Sequence, residues 1–384
     1  MFITHAKIHT MAGNTIDNGW IHIKENKIAA IGSHLDKPVT DEEVLDVHGA
    51  GVYPGFIDAH THLGMWEDGL CFEGDDGNEE TDPITPQLRA IDAINPMDRC
   101  FSEALAAGIT TVVTGPGSAN PIGGQLAAMK TAGSRVDDMI VKAPVAIKMA
   151  LGENPKSVYH GKSQAPSTRM ATAALIREEL YKAKRYMDDL ERSKNEEDFE
   201  APEFDIKSEA LLPVLRGETE VHFHAHRSDD IYTAIRIANE FHLNYVIVHG
   251  TEGHLIADTL AKEGVRVLAG PYLCDRSKPE LKNQTPANPG ILSKAGVFTA
   301  IITDHPVIPL QYLPTCAALA VREGMDYEEA LKAITINPAQ ICGIDQRVGS
   351  IEVGKDADLV IFDSDPLQMT SKPIHVIADG KIML

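Results

Sequence analysis

Basic side chains are scarce in this sequence: 35 Lys and Arg stand against 56 Asp and Glu, a formal net charge of −21. Binding to a phosphate backbone or to an anionic membrane surface rests on clustered Lys and Arg, so neither nucleic acid nor membrane is an expected partner. No apolar stretch reaches 18 residues, and the opening MFITHAKIHTMAGN lacks a basic region followed by a long apolar core. Neither a spanning helix nor a secretion signal is therefore expected. Cysteine is sparse as well. Cys71, Cys100, Cys274, Cys316 and Cys342 are odd in number and far apart, which argues against a disulfide framework or a thiolate zinc site. The expectation is a soluble, cytoplasmic protein with reduced thiols.

What the chain does have is enough apolar mass, 43% of 384 residues, to bury a large core. Its two ends are alike: FITHAKIHTM, NGWIHIKENKIAAIGS and EEVLDVHGAGVYPG at the start, and VGSIEVGKDADLVIFD and IHVIADGKIML at the finish, alternate apolar with polar residues around Gly, Asn and Asp turns. This pattern predicts that residues 1–53 and 346–384 come together as one small sheet domain. Residues 54–345 read differently, as apolar runs alternating with amphipathic stretches such as DDIYTAIRIANEFH, HLIADTLAKEG and YEEALKAITI. The strand-like runs are GVYPGFIDA, GITTVVT, APVAIKMAL, EVHFHA, NYVIVHG, VRVLAGP and VFTAIITD, with an obscure eighth within GGQLAAMKTAG. Eight such units predict an α/β fold, a (β/α)₈ TIM-like barrel with its chemistry at the C-terminal ends of the strands. The charged stretch at 168–205 reads as a long charged helix and tail, a solvated insertion. The glycine-rich GPGSANPIGG (115–124) matches neither a dinucleotide fingerprint nor a phosphate loop, so no organic cofactor is expected and the stretch reads as a mobile loop at the barrel mouth.

Polar residues close several of these runs: His60 and His62 the first, His224 and His226 the run EVHFHAH, His249 the run NYVIVHG, and Asp304 the run FTAIITD. One histidine at a strand end is commonly a satisfied core residue. Four strands ending this way converge on one barrel mouth, and imidazole nitrogens with a carboxylate are the donors of a catalytic metal site. Side-chain direction repeats every two residues along a strand, so His60 and His62 point the same way and can share one ion.

The segments GFIDAHTHLG, HFHAHRSDDIYTAIRIA, VIVHGTEG, IITDHPV and INPAQICGI…GSIEVGKDADLVIFD resemble the metal-dependent amidohydrolase superfamily, in its imidazolonepropionase-like and prolidase-like branch. The resemblance covers nearly the whole chain. It implies a distorted barrel, a β-sandwich built from both termini, and roles by position: His60, His62, His224 and His249 as metal ligands, and Asp304 as ligand and proton shuttle. His226 is assigned to substrate contact or to the polar rim. A second ion would need an anionic bridge, for which a carbamylated Lys148 and an unmodified Glu153 both stand, with Lys148 preferred because it interrupts an apolar strand. The implied cofactor is one or two divalent ions, zinc first, with manganese, iron or cobalt as alternatives.

That constellation implies hydrolysis of a carbon–nitrogen bond: a metal-held hydroxide attacks, and Asp304 moves the proton to the leaving nitrogen. The expected partner is a small amide substrate, cyclic or N-acylated, bearing a carboxylate that Arg227, Arg169 or Arg276 would grip. The acidic stretch EDGLCFEGDDGNEETD after His62 argues the other way. A prolidase-like dipeptidase is the alternative. A deaminase is disfavoured because HAHRSDD lacks the glutamate that such enzymes place after this histidine, and a non-catalytic scaffold would have lost ligands that are present here. Self-association into a homo-oligomer is left open.

Overall fold

The computed structural model describes residues 1–33, 41–68 and 71–384; residues 34–40, in the N-terminal β region, and residues 69 and 70 of the acidic stretch lie outside the described set. Five strands open the chain: β1 (Phe2–Ile8), β2 (Ile16–Lys24), β3 (Lys27–Ser33), β4 (Val44–Asp46) and β5 (Gly51–Pro54). The barrel strands follow as β6 (Phe56–Thr61), β7 (Ile109–Thr114), β8 (Ile122–Lys130), β9 (Ile140–Ala150), β10 (Glu220–Ala225), β11 (Tyr245–His249), β12 (Arg266–Ala269) and β13 (Phe298–Ile301). Three more close the chain: β14 (Leu359–Phe362), β15 (His375–Ala378) and β16 (Lys381–Ile382).

The run GVYPGFIDA is two strands, not one. Its first half, β5, pairs with β1 and β14; its second half, β6, is the first barrel strand. The chain turns between them at Gly55, where a Cβ would overlap the Thr110 hydroxyl, so a side chain is excluded by the close approach.

Strands from both ends share one sheet, in the order β16-β15-β14-β5-β1-β2-β3 with β4 beside β1. The hydrogen-bond ladder connects all eight strands. Ions fasten this sheet to the barrel. Lys130, at the end of β8 and almost wholly buried, pairs with Asp358 and lies 3.0 Å from Asp356 and 3.2 Å from Asp379. Asp356 is further held by Lys27 at 2.5 Å and Arg347 at 2.8 Å.

The barrel ladder runs β13-β12-β11-β10-β9-β8-β7-β6. One strand departs from the all-parallel expectation: β8 is antiparallel to both β7 and β9. Parallel neighbours need a crossover of a dozen or more residues, and residues 115–121 and 131–139 are too few to supply one. The glycine-rich stretch is thus partly strand, since β8 begins at Ile122. Between β13 and β6 the ladder is open, and a side chain bridges it: the buried Asp58 carboxylate accepts hydrogen bonds from the Thr303 amide at 2.9 Å and hydroxyl at 2.6 Å. Burial dominates the Asp58 carboxyl and pushes its pKa up to about 7.

The stretch at 168–205 holds the expected long helix, 27 residues over Arg169–Asn195, but not as a solvated insertion: it lies in the crossover from β9 to β10 and buries Thr172, Ala173, Ile176, Leu180 and Ala183. These positions recur at three- and four-residue spacing, and Ala173, Ile176, Leu180 and Ala183 join the hydrophobic cluster that also contains Leu211, Val221 and Ile231. Charge on the outer face hid the stripe. Leu180→Ala should therefore destabilise the protein by ~2–5 kcal/mol in chemical denaturation, whereas Glu178→Ala, on the exposed side, should change it by no more than ~0.5 kcal/mol.

Candidate metal centre

Five strands bring the polar residues together. His60 lies on β6 and His62 just beyond it; Lys148 is inward on β9; His224 is on β10 with His226 one residue past its end; His249 closes β11; Asp304 follows β13. All seven line one cavity of about 340 Å³. Their donor atoms fall into two groups, His60 with His62 and Asp304, and His224 with His226 and His249, each within 4.8 Å of one another. Asp304 Oδ1 lies 3.4 Å from His60 Nε2 and 3.3 Å from His62 Nε2. Lys148 Nζ stands 2.9 Å from His60 Nε2.

The backbone is strained where two of these residues sit. His249 has φ 72° and Asp304 φ 57°, a left-handed conformation that costs non-glycine residues of order 1–3 kcal/mol and persists only where the surroundings impose it. Both corners turn a side chain inward at the point where its strand ends.

Hydrogen bonds fix the imidazoles. His62 Nδ1 donates to the Gly115 carbonyl at 2.7 Å and His249 Nδ1 to the Gly270 carbonyl at 2.8 Å, which leaves each Nε2 as a lone pair. His226 Nδ1 is tied to the Thr251 hydroxyl at 2.7 Å. Burial keeps the rings neutral: it lowers His249 to about 4 and holds His60, His224 and His226 well below the ordinary imidazole value. Burial likewise lowers Lys148 to about 7. At Asp304 burial works to raise the carboxyl, but the facing imidazoles of His249, His60 and His62 outweigh it and hold the group well below the usual carboxylate range.

The donors fit a divalent cation. His60 Nδ1 and both nitrogens of His224 are buried without a hydrogen-bond partner among the described residues, a state that costs about 1–3 kcal/mol per atom unless something binds there. Neutral imidazoles and an ionised carboxylate around a small cavity are zinc-type donors, and the backbone carbonyls behind His62 and His249 are the supports such ligands require.

Comparison with known proteins agrees. The amidohydrolase family model matches residues 52–383. The chain belongs to the amidohydrolase family. It is 31% identical over 388 residues to the amidohydrolase tasK of Hapsidospora irregularis, covering 95% of this chain but only 39% of that protein's length. Imidazolonepropionase of Sphingopyxis alaskensis is 24% identical, over 98% of this chain and 96% of its own. The crystal structure of an amidohydrolase from Thermotoga maritima MSB8 superposes with a TM-score of 0.95 at 43% identity, covering 100% of this chain and 99% of that one.

In this amidohydrolase the other expected residues lie elsewhere. Glu153 opens the helix Glu153–Gly161, its amide donating to Glu280 Oε2 at 3.1 Å, and it is not among the described residues lining the cavity. The three arginines are also outside that lining. Arg227 is paired with Asp229 at 2.9 and 2.7 Å, Arg169 with the buried Asp230 at 3.0 Å, and Arg276 bonds the Gln284 carbonyl at 3.0 Å. Neighbouring acids capture the first two, and the inward parity of β10 ends at His226, one residue before Arg227.

Three features escaped the sequence reading. Trp66 packs its ring edge-on against His62, with centroids 4.6 Å apart. Lys278, from the loop after β12, and Asn154, in the first turn of the helix Glu153–Gly161 after β9, line the cavity. His222 is fully buried beside Lys148 in the β9–β10 register, and the two-residue step from His224 would have placed it on the inward face. Among the described residues no helix is long and apolar enough to cross a membrane.

The donor set has a direct check. Elemental analysis of mildly purified protein should find one or two divalent ions per chain, and His224→Ala should lower the content while His48→Ala, on the exposed surface, should not. Zinc, manganese or cobalt added to chelator-treated protein should raise its melting temperature, because a ligand that binds the folded state stabilises it.

Proposed function

We propose that this chain hydrolyses a carbon–nitrogen bond, amide, cyclic amide or N-acyl, in a small substrate. The observation that carries the reading is the convergence of His60, His62, Lys148, His224, His249 and Asp304 on one cavity, with buried imidazole nitrogens left unpaired. Zinc is the first choice of ion, with manganese, iron or cobalt as alternatives. His60 and His62 with Asp304 would hold one ion, and His224 with His249 a second. The cation, when bound, supplies Lewis acidity and lowers the pKa of water towards neutrality.

The chain's own groups supply the rest. Asp304 is ionised and therefore able to accept a proton at Oδ1 from the attacking water; the protonated carboxyl then delivers it to the leaving nitrogen, so one residue serves as base and acid in a turnover. The neutral imidazoles hold their lone pairs towards the cavity without competing for that proton. Lys148, buried among histidines, is the preferred bridge: with its pKa brought down to about 7, a substantial fraction of the amine is neutral at physiological pH and able to add carbon dioxide with loss of a proton, giving a carbamate that would help hold the ions. Glu153 is the weaker alternative, because its place at the start of a helix is outside the cavity lining.

A prolidase-like dipeptidase is the second reading, since the same constellation serves a peptide bond. Deamination is disfavoured for want of a glutamate beside His224, where the chain carries His226.

Asp304→Asn should keep most of its metal yet lose at least ~100-fold in turnover, the scale expected for removing a general base; normal turnover would dismiss Asp304 as the shuttle. Screening N-acyl amino acids, lactam and imidazolone acids, dipeptides and aminated heterocycles should give amide cleavage, and preferred release of ammonia from a heterocycle would overturn the assignment. Electron density at Lys148 in crystals of the metal-loaded protein should extend beyond Nζ as a carbamate; an unmodified Lys148 with Glu153 on the ions would reverse the choice of bridge.

A further inference from the structure

With the arginines committed elsewhere, a carboxylate-bearing substrate needs another anchor. Apart from Lys148 and Asp304, the formally charged side chains lining the cavity among the described residues are Glu80 and Lys278. Glu80 is half-exposed at the mouth and paired with Lys162 at 2.7 Å. Lys278, from the loop after β12, is different: its side chain is 26% exposed, and Nζ is held at 2.8 Å by Asn154 Oδ1 and at 2.7 Å by Glu280 Oε1.

The supports around Lys278 form a small scaffold. Glu280 is 1% exposed and does not line the cavity; its Oε2 accepts the Glu153 amide at 3.1 Å, and its Oε1 lies 3.7 Å from His226 Nε2. Asn154 occupies the next position of the same helix and is itself fixed, donating to the Ser118 hydroxyl at 2.8 Å. The helix after β9 and the loop after β12 thus converge to hold one ammonium in place. An ammonium has three N–H donors; Asn154 takes one in a hydrogen bond, and Glu280 pairs with the charge without hydrogen-bond geometry, so N–H remains for a ligand. The compensating carboxylate is recessed from the cavity, so a substrate meets the cation and not the acid.

We infer that Lys278 anchors a carboxylate of the substrate through its remaining N–H, on the wall next to His226, and so sets the preference for an acid over its neutral amide. This rests on the hydrolase reading above and names the residue that gives it specificity. Lys278 is a binding group and takes no part in proton transfer. A preorganised ammonium held by its neighbours sacrifices little side-chain freedom when it takes up a ligand, unlike a free surface lysine.

The test compares N-acetyl-L-alanine with N-acetyl-L-alaninamide on zinc-loaded, full-length protein, by calorimetric binding and by KM against kcat wherever turnover is seen. The native protein should bind the acid more tightly. Lys278→Met should weaken the acid by ~10–100-fold, the range for a charge-assisted hydrogen bond, leave the amide unchanged and keep the metal content; Lys278→Arg should recover part of the loss. Because Lys278→Met strands the buried Glu280, the double variant Lys278→Met/Glu280→Gln is made beside it and should show the same selective loss. Equal affinity of the native protein for the two ligands, or equal weakening of both in the variants, overturns the assignment. Absence of hydrolysis with discrimination intact would count against the proposed reaction while upholding Lys278 as the anchor.

Discussion

Keeping donor atoms out of water is the constraint on which the rest of this molecule turns. His60, Lys148, His224 and His249 are almost wholly buried, and Asp304 lies among them. Each would be better solvated outside. The offset comes from the continuous apolar clusters around the barrel and from devices that close it where the ladder does not. Asp58 is the clearest of these, joining β6 to the end of β13 by two hydrogen bonds and accepting the His60 amide at 3.1 Å. The side chain that seals the barrel therefore also fixes the backbone at the first histidine of the site.

Orientation matters as much as burial. A histidine free to rotate offers either nitrogen, and a cavity needs one. Gly115 and Gly270, each just past a strand end, present carbonyls that can only accept, so His62 and His249 must turn Nε2 inward. Neither is a feature of one strand alone: Gly115 follows β7 and serves the histidine of β6, while Gly270 follows β12 and serves that of β11. Neighbouring strands orient each other's ligands, which is how a barrel can hold a precise site on a rim made of loops.

Much of this was legible in the sequence, for reasons that also mark where legibility stopped. The positions of His60, His62, His224, His249 and Asp304 at strand ends follow from apolar runs that stop at a polar residue, and the HxH spacing follows from the two-residue repeat of a strand. The same repeat pointed to His222, overlooked because it lies inside the run and not at its end. Strand direction is a different matter: alternation is identical for parallel and antiparallel neighbours, and the signal for β8 lay in the shortness of 115–121 and 131–139. The arginines were read from proximity to a strand end, which says nothing about pairing, although Asp229 and Asp230, two and three residues after Arg227, were a sign of it. Lys278 had no such signal. Its role depends on Asn154, 124 positions away, and on Glu280 being recessed.

The acidic character of the chain and a cationic anchor in its cavity are compatible once distance is considered. A second cavity of about 830 Å³ adjoins the mouth, sharing Trp66, Asn78 and Glu80, and is lined by Asp75, Asp76, Glu79 and Asp92. Exposed charges there act on an approaching anion through solvent, where screening weakens them over about 8 Å at physiological ionic strength. Lys278 acts at contact, where a single hydrogen-bonded charge outweighs several distant ones. The outer acids then govern how fast an anionic substrate arrives, and the inner lysine how firmly it stays. A small acid would pay at the entrance and gain at the wall, whereas a large polyanion would meet the acidic lining along its whole length, so the same arrangement that admits the one excludes the other.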